Sequence, residues 1–163
     1  MMRQNQNRPH HSARSSAQAV PFDERFLERS SRWLRDEEIR HLTLTPSFTR
    51  DQQLAWYASL AERSDYLIWG IEYGGEPVGA FGLKGLDGMS GEYWGYIGNK
   101  AYWGRGIGQW MVHEAIHYAR DQGLTRLYLK VAPYNARAIK LYLSAGFSVY
   151  KDDRVLAWME RRI

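Results

Sequence analysis

The 163-residue chain contains no cysteine. This absence excludes disulfide bonds, thiolate metal sites and a cysteine nucleophile, so any catalysis has to use oxygen and nitrogen groups. Long apolar runs are missing as well. None approaches the roughly 20 residues that cross a bilayer, and the first residues do not resemble a secretory signal. We therefore expect a cytoplasmic protein without a membrane partner.

A basic surface patch is also missing from most of the chain. The net charge is +4, but the first 19 residues carry Arg3, Arg8 and Arg14 with no acid, and subtracting these three charges leaves +1. The remaining basic residues are dispersed, so no nucleic-acid partner is expected. The polar start lacks apolar periodicity and predicts a disordered basic tail over residues 1–18, followed by one domain over 19–163. An organelle-targeting peptide is the alternative interpretation of this segment.

The chain does have a large hydrophobic content and a regular alternation of patterns. Hydrophobic residues make up 44% of the sequence, with seven Trp and eleven Tyr to fill a core. The patterns predict a strand near Ala19, a helix capped by Asp23 and continuing past Leu34, a second helix, and three strands with a hairpin turn at Gly74-Gly75. A helix, a strand, a helix and two strands follow. The order predicts an α/β domain whose mixed sheet of six or seven strands is flanked by about four helices on both faces.

The helix predicted from about Arg105 to Gln122 carries the sequence "HEAIH" at residues 113–117, which matches a zinc-protease pattern. A catalytic zinc needs a third protein ligand, and no His follows His117, while no Glu follows it before Glu160. On a helical wheel His113 and His117 lie opposite the apolar stripe. We therefore interpret them as solvated surface residues and expect no metal site.

A glycine-rich turn opens the same helix. Gly104, Gly106 and Gly108 follow a strand, and in this context glycines let backbone N–H groups approach a phosphate at the positive end of a helix. The turn lacks the Lys-Ser/Thr of a nucleotide-hydrolysing loop, and its glycine spacing does not fit a dinucleotide-binding fold. A turn that only packs the helix on the sheet is the structural alternative.

Two segments resemble the GCN5-related N-acetyltransferase (GNAT) family over about residues 17–160. "YIGNKAYWGRGIGQWMVHEAIHYA" is similar to the family's strand, pyrophosphate loop and helix, with the Q/R-x-x-G-x-G/A signature on Trp103–Gly108. "VAPYNARAIKLYLSAGF" is similar to its N-x-x-A-x-x-L-Y-x-x-x-G-F segment. Trp103 departs from the usual Gln or Arg. The likeness extends to the branches that acetylate nucleotide-linked amino sugars or ribosomal proteins.

The resemblance implies acetyl-coenzyme A as co-substrate and direct transfer of its acetyl group to a primary amine. The implied cofactor-binding residues are Tyr96, Ile97, Gly98, Trp103, Gly104, Arg105, Gly106, Ile107, Gly108 and Asn135. The backbone from Gly104 to Gly108 would hold the pyrophosphate, and the strand with Tyr96, Ile97 and Gly98 would pair with the pantetheine arm. Asn135 also suits a helix N-cap.

Tyr142 corresponds to the family's general acid, although spacing alone would make it a packed tyrosine. The sequence singles out no general base, and Glu92 is the first candidate, ahead of Glu72 and Asp87. An aromatic wall for the acceptor is a further hypothesis, drawn from Tyr66, Trp69, Tyr93 and Trp94. The acceptor is expected to be a nucleotide-linked amino sugar or another small amine. A protein N-terminus and a non-catalytic coenzyme-A-binding module stay as alternatives, and a homodimer is one option for assembly.

Overall fold

Seven strands form one mixed sheet in the computed structural model, which describes residues 16–163. The strands are β1 (Ala17–Pro21), β2 (Tyr66–Tyr73), β3 (Glu76–Lys84), β4 (Ser90–Ile97), β5 (Arg126–Val131), β6 (Ser148–Asp152) and β7 (Ala157–Arg162). Their spatial order is β1-β2-β3-β4-β5-β7-β6, and every neighbouring pair is antiparallel except β4 and β5. A disordered tail was predicted for residues 1–18, and residues 1–15 of it lie outside the described residues. The first strand, β1, begins at Ala17, two residues before the predicted start of the domain at residue 19.

Five helices cover this sheet within residues 16–163. They are α1 (Glu24–Trp33), α2 (Glu37–Thr43), α3 (Arg50–Ser59), α4 (Ile107–Asp121) and α5 (Ala136–Ser144). The structure divides the predicted first helix into α1 and α2. The backbone N–H groups of Arg35 and Asp36 donate to carbonyls three residues earlier, and the Asp36 carboxylate then accepts from the Ile39 N–H at 3.1 Å and caps α2. None of the helices in these residues is long and apolar enough to span a membrane.

The two faces of the sheet are covered by different helices. A Cβ atom at Gly70 would lie 2.4 Å from the Phe26 ring of α1, and one at Gly95 would lie 2.6 Å from Met111 Cε of α4. Glycine at these positions therefore lets α1 and α4 approach opposite faces closely. Between sheet and helices lies a core whose largest fully buried side chains are Phe26, Ile71, Val78, Phe81, Leu83, Val112, Leu127, Leu129 and Met159. The predicted sheet with helices on both faces is confirmed.

The parallel pair β4 and β5 separates part-way along its length. Pairing joins Ser90–Glu92 to Arg126–Tyr128 and then stops, although β4 continues to Ile97 and β5 to Val131. Because β4 still pairs with β3 and β5 with β7 on their outer sides, the sheet opens between them without coming apart. The opening starts directly after Glu92, and it positions the candidate site.

Candidate active site

A cavity of about 1270 Å³ extends from the β4–β5 opening to the start of α4 and under the loops of α1, α2 and α3. The N–H of Gly98 donates to the carbonyl of Val78 in β3, at 2.8 Å. Since N–H directions alternate along a strand, the N–H groups of Gly95 and Ile97 point to the other edge, into the opening. The Ile97 carbonyl on that edge accepts from Trp103 Nε1 at 2.8 Å. The opening therefore presents main-chain donors that no neighbouring strand pairs.

The glycine turn ends at the N-terminus of α4, where the helix has no side-chain cap. Gly104 and Gly106 have φ values of +78° and +81°, a conformation that side chains other than glycine rarely adopt. The first bond of α4 runs from the Trp110 N–H to the Gly106 carbonyl, so the N–H groups of Ile107, Gly108 and Gln109 have no intrahelical acceptor. These three residues line the cavity. The positive end of a 15-residue helix thus faces it.

Helix α5 adds two positive side chains to the same wall. Arg137 and Lys140 line the cavity, and Arg137 Nη2 lies 3.4 Å from the position that a Cβ of Gly104 would occupy. Asn135 caps α5 as predicted, because its Oδ1 accepts from the Ala138 N–H at 3.2 Å. Residue patterns did not reveal Arg137 and Lys140. Their spacing of three places both on one face of α5, but only the fold shows that this face meets the glycine turn.

Tyr142 lies on the α4 side of the opening. Its ring meets the edge of Tyr93 at 6.1 Å between centroids and 78° between planes, and it packs on Phe147 at 6.0 Å. Burial raises the pKa of Tyr142 to about 12. The hydroxyl therefore stays protonated at neutral pH and can donate a proton to a group in the cavity that it lines.

Glu92 lies at the start of the opening, on the opposite face of the sheet from Tyr93. The residue is 8% exposed, and its two carboxylate oxygens lie 3.5 Å from Lys84 Nζ and 3.4 Å from Lys130 Nζ. All three side chains line the cavity. Glu92 therefore presents a carboxylate to the cavity next to the point where β4 and β5 separate, with a lysine beside each of its oxygens.

The other two candidate bases lie elsewhere. Glu72 accepts from Arg25 Nη2 at 2.7 Å, and Asp87 accepts from the N–H groups of Met89 and Ser90 at 2.9 and 2.7 Å. Those backbone bonds lower the pKa of Asp87, the bond from Ser90 most. Neither acid lines the cavity.

Aromatic side chains form one wall of the cavity beyond Glu92. Tyr66 and Trp94 line it with ring centroids 6.2 Å apart, and Trp56 of α3 meets Tyr66 edge-on at 6.3 Å. Burial raises the pKa of Tyr66 to about 12. Tyr93 also lines the cavity, but Trp69 does not, because it stacks on Tyr118 of α4 at 4.1 Å. The expectation that Trp69 belongs to this wall was wrong, since Tyr66 and Trp69 differ by an odd number of residues and project to opposite faces.

A contact joins α2 to the β5–α5 loop at the edge of the cavity, which Leu42, Tyr134 and Asn135 line. The His41 and Tyr134 rings stack at 4.2 Å with 9° between planes, and the Tyr134 hydroxyl donates to the His41 carbonyl at 2.8 Å. Asn135 Nδ2 donates to the Leu42 carbonyl at 3.4 Å. The end of α2 is therefore held against the β5–α5 loop, which encloses the space between the aromatic wall and α5.

The acetyltransferase (GNAT) family model matches residues 27–147, which is more than half of the chain and includes the opening, the glycine turn and Tyr142. The chain belongs to the GNAT acetyltransferase family. The predicted family is thereby confirmed, together with the fold.

Known proteins of this kind are similar to the chain over different lengths. A mycothiol acetyltransferase from Thermobifida fusca is 32% identical over 79 residues, 48% of this chain and 21% of the relative. The chain spans about a fifth of the length of the two curated relatives it matches. The solved structure of spermidine N-acetyltransferase from Vibrio cholerae, with CoA and spermine, has a TM-score of 0.82 at 17% identity and 91% and 96% coverage. Campylobacter jejuni N-acetyltransferase PseH with acetyl coenzyme A has a TM-score of 0.71 at 18% identity and 90% and 98% coverage.

The fold of this GNAT chain brings most of the predicted site residues to the cavity. Those that line it are Glu92, Tyr96, Ile97, Trp103, Gly104, Gly106, Ile107, Gly108, Asn135 and Tyr142. Gly98 and Arg105 do not. The Trp33 ring fills the space beside Gly98, where a Cβ would lie 2.1 Å from it, and the Arg105 guanidinium lies over the Tyr102 ring at 4.9 Å. At the position where the family usually has Gln or Arg, Trp103 instead ties the loop to the end of β4 through its indole N–H.

The histidines of α4 lie on the solvent side, as the helical wheel predicted. His113 and His117 are exposed, and His117 Nε2 lies 3.4 Å from Asp121 Oδ2. Among residues 16–163, no group of three or more His, Cys, Asp or Glu side chains is arranged to hold a metal ion. The "HEAIH" sequence therefore has no third ligand in that part of the chain.

Proposed function

We propose that this GNAT chain transfers an acetyl group from acetyl-coenzyme A directly to the primary amine of a small molecule. The observation that carries the proposal is one continuous cavity joining three features. These are the uncapped N-terminus of α4, the unpaired edge of β4, and the pair Glu92 and Tyr142 on opposite faces at the opening. The C. jejuni neighbour with acetyl coenzyme A in its structure supports the choice of co-substrate.

The residues around the glycine turn fit the phosphate end of this co-substrate. Free N–H groups of Ile107, Gly108 and Gln109 would donate to the diphosphate at the positive helix end. The Arg137 guanidinium, close to Gly104, would add a charged donor. Glycine at positions 104 and 106 keeps the backbone free of side chains that would hold a phosphate away.

The unpaired edge of β4 fits the pantetheine arm. The N–H groups of Gly95 and Ile97 would bond to the arm as to an added strand, which aligns the thioester with the cavity. The thioester supplies the activated acetyl group. Of the two N–H groups, that of Gly95 lies nearer to Glu92 along β4, and it is our candidate donor to the thioester carbonyl oxygen.

Two side chains would move the protons. Glu92 would accept a proton from the acceptor's ammonium group, directly or through a water molecule, so that the neutral amine can attack. As the new N–C bond forms and the C–S bond breaks, the Tyr142 hydroxyl would donate its proton to the departing sulfur. The nitrogen loses a second proton as the amide forms, and that proton would return to the Tyr142 oxygen through water, which restores the acid. Because Tyr142 has a pKa of about 12, it is protonated when that proton is needed.

The enclosure of the cavity favours a small acceptor. Tyr134, which His41 stacks on, and the aromatic wall of Tyr66 and Trp94 line the same cavity as Glu92. A nucleotide-linked amino sugar fits such a wall because a base or sugar ring can pack on aromatic side chains.

The test is thiol release from acetyl-coenzyme A with a panel of nucleotide sugars, polyamines, amino acids and peptides. We expect turnover with at least one small amine. Glu92→Gln provides the matched control, because its deficit should shrink as the pH approaches the amine's own pKa and a base is no longer needed. A protein that binds the co-substrate but releases no thiol with any amine would instead be a coenzyme-A-binding module.

A further inference from the structure

The charges that line the cavity are strongly unbalanced. Four cations line it, namely Lys84, Lys130, Arg137 and Lys140, and among the described residues Glu92 is its one carboxylate. Arg137 and Lys140 lie on α5 beside the glycine turn and serve the phosphate end. Lys84 and Lys130 lie at the other end, against Glu92, where the acceptor amine would react. The proposed function gives the phosphate pair a role and leaves the acceptor-side pair unexplained.

Glu92 cannot neutralise both acceptor-side lysines. Its oxygens lie 3.5 and 3.4 Å from the two ammonium nitrogens, so one negative charge faces two positive ones. The Lys84 and Lys130 side chains are 43% and 39% exposed. Each ammonium has three N–H donors, so each keeps donors free for a ligand. Lys130 also lies over the Trp158 ring at 4.7 Å, which holds its chain beside the cavity.

The strand register fixes both lysines on the face of the sheet that carries the aromatic wall. Lys84 pairs with Glu92 across β3 and β4, and Tyr66 pairs with Lys84 across β2 and β3. Lys130 is two residues beyond Tyr128, which pairs with Glu92 across the parallel strands. Because directly paired residues share a face, the two cations, the carboxylate and the aromatic wall form one surface.

We propose that the acceptor carries an anionic group, a carboxylate or a phosphate, which Lys84 and Lys130 bind while its amine lies at Glu92. This inference rests on the proposed acetyl transfer and adds the charge class of the substrate. The two lysines also disfavour the protonated amine, so they assist its conversion to the neutral nucleophile. A polycationic acceptor would bring further positive charge to this end and is disfavoured there.

The experiment compares kcat/KM for amines that differ in one anionic group. Glucosamine 6-phosphate against glucosamine is the phosphate arm, phenylalanine against phenethylamine is the carboxylate arm, and spermidine is the polycation. Each is measured by thiol release with the wild-type protein and with Lys84→Met and Lys130→Met, which keep most of the side-chain length. Lys151→Met is the control, because Lys151 also lies over the Trp158 ring but does not line the cavity.

We expect the anionic member of at least one pair to be preferred, and that arm identifies the anion. In each cavity variant the preference should fall roughly two- to fivefold, mainly through KM, as expected for the loss of one partly exposed ion pair. Lys151→Met should keep the wild-type preference. A wild-type preference for the non-anionic member of both pairs, a higher kcat/KM for spermidine than for either anionic amine, or a preference unchanged in both cavity variants would overturn the inference while leaving acetyl transfer intact. Absence of thiol release with every amine would overturn the proposed function as well.

Discussion

Tyr142 and Glu92 lie on opposite sides of the β4–β5 opening, and their environments differ in kind. Tyr142 is surrounded by the rings of Tyr93 and Phe147, whereas Glu92 faces two ammonium groups. Burial among rings keeps the Tyr142 hydroxyl neutral and able to donate. The Glu92 carboxylate offers oxygens to the cavity that can accept a proton. The two sides of the opening thus suit the two proton transfers of the proposed reaction.

Replacing Tyr142 by Phe removes the proposed acid and little else. We expect kcat to fall roughly ten- to ten-thousand-fold, with the affinity for acetyl-coenzyme A changed only slightly. Steady-state kinetics and calorimetric titration measure the two quantities. An unchanged kcat would remove the acid role.

The raised pKa of Tyr142 also predicts the alkaline side of the pH profile. With a pKa of about 12, the hydroxyl keeps its proton up to pH 10.5, so its ionisation should cause no fall in kcat between pH 8 and pH 10.5. A fall centred near pH 10 that Tyr142→Phe abolishes would show an ordinary tyrosine pKa and contradict the account.

Some of these residues were predictable and others were not. Tyr142 and Asn135 could be placed because they belong to a sequence pattern with fixed spacing. Lys84 and Lys130 could not be placed in this way, because they lie 46 residues apart in the sequence and on different strands. Only the register of β3, β4 and β5 brings both lysines to Glu92. The period of two along β2 places Trp69 and Tyr66 on opposite faces of the sheet, so the sequence pattern alone is sufficient to exclude Trp69 from the wall.

At the scale of elements, the site depends on how α4 begins. The turn places three free N–H groups at the cavity only because Gly106 adopts φ = +81° as the N-cap. Gly75 in the β2–β3 hairpin has a similar φ of +86° and open space around it, and it does not line the cavity. The two glycines therefore offer a matched comparison between backbone strain and ligand binding.

Gly106→Ala and Gly75→Ala should each lower the free energy of unfolding by roughly 1–2 kcal/mol, because both place a side chain in the left-handed region. Only Gly106→Ala should weaken acetyl-coenzyme A binding, by about tenfold or more, since it displaces the N–H groups that would hold the diphosphate. Thermal unfolding and calorimetric titration provide the readouts. Equal affinities in the two variants would show that the turn only packs α4 on the sheet.

The sequence predicted the elements better than their junctions. "RLYLKV" matches β5 from end to end, and the hairpin turns at Gly74-Gly75 as expected. The break between α1 and α2 was missed because Asp36 resembles other surface acids until its carboxylate is seen to cap Ile39. The separation of β4 from β5 was beyond sequence patterns, since it depends on a pairing that stops after Glu92.

At the scale of the whole molecule, the net charge of the chain does not reveal the local charge of the cavity. The chain outside its first 19 residues carries a net charge of only +1, so no nucleic-acid-binding surface was expected. The fold nevertheless collects four cations around one cavity with a single lining carboxylate among the described residues. Local charge thus depended on topology and could not be obtained from a sum over the sequence.

The buried tyrosines predict how stability depends on alkaline pH. Burial raises the pKa of Tyr66, Tyr93, Tyr96 and Tyr142, to about 12 for Tyr66 and Tyr142. An unfolded tyrosine has a pKa of about 10, so between pH 10 and 12 the unfolded state releases protons that the folded state keeps. The stability that these groups contribute is complete below pH 10 and is lost as the pH rises towards the folded pKa.

The free energy of unfolding should therefore fall between pH 10 and 12, with each such tyrosine adding at most about 1.4 kcal/mol per pH unit. Urea denaturation at intervals of half a pH unit measures the slope. Tyr66→Phe should reduce that slope, because one tyrosine fewer then releases its proton on unfolding. A free energy of unfolding that stays constant over this range, or an unchanged slope in the variant, would contradict the assignment.

The central claim is that acetyl-coenzyme A lies along the edge of β4 with its diphosphate at the start of α4. Amide NMR during a titration with acetyl-coenzyme A tests this most directly. We expect saturation at one equivalent, with the largest shifts at Gly95, Ile97, Ile107 and Gly108 and smaller shifts at Gly75, which does not line the cavity. No shifts, or shifts that leave β4 and the start of α4 unchanged, would contradict the account.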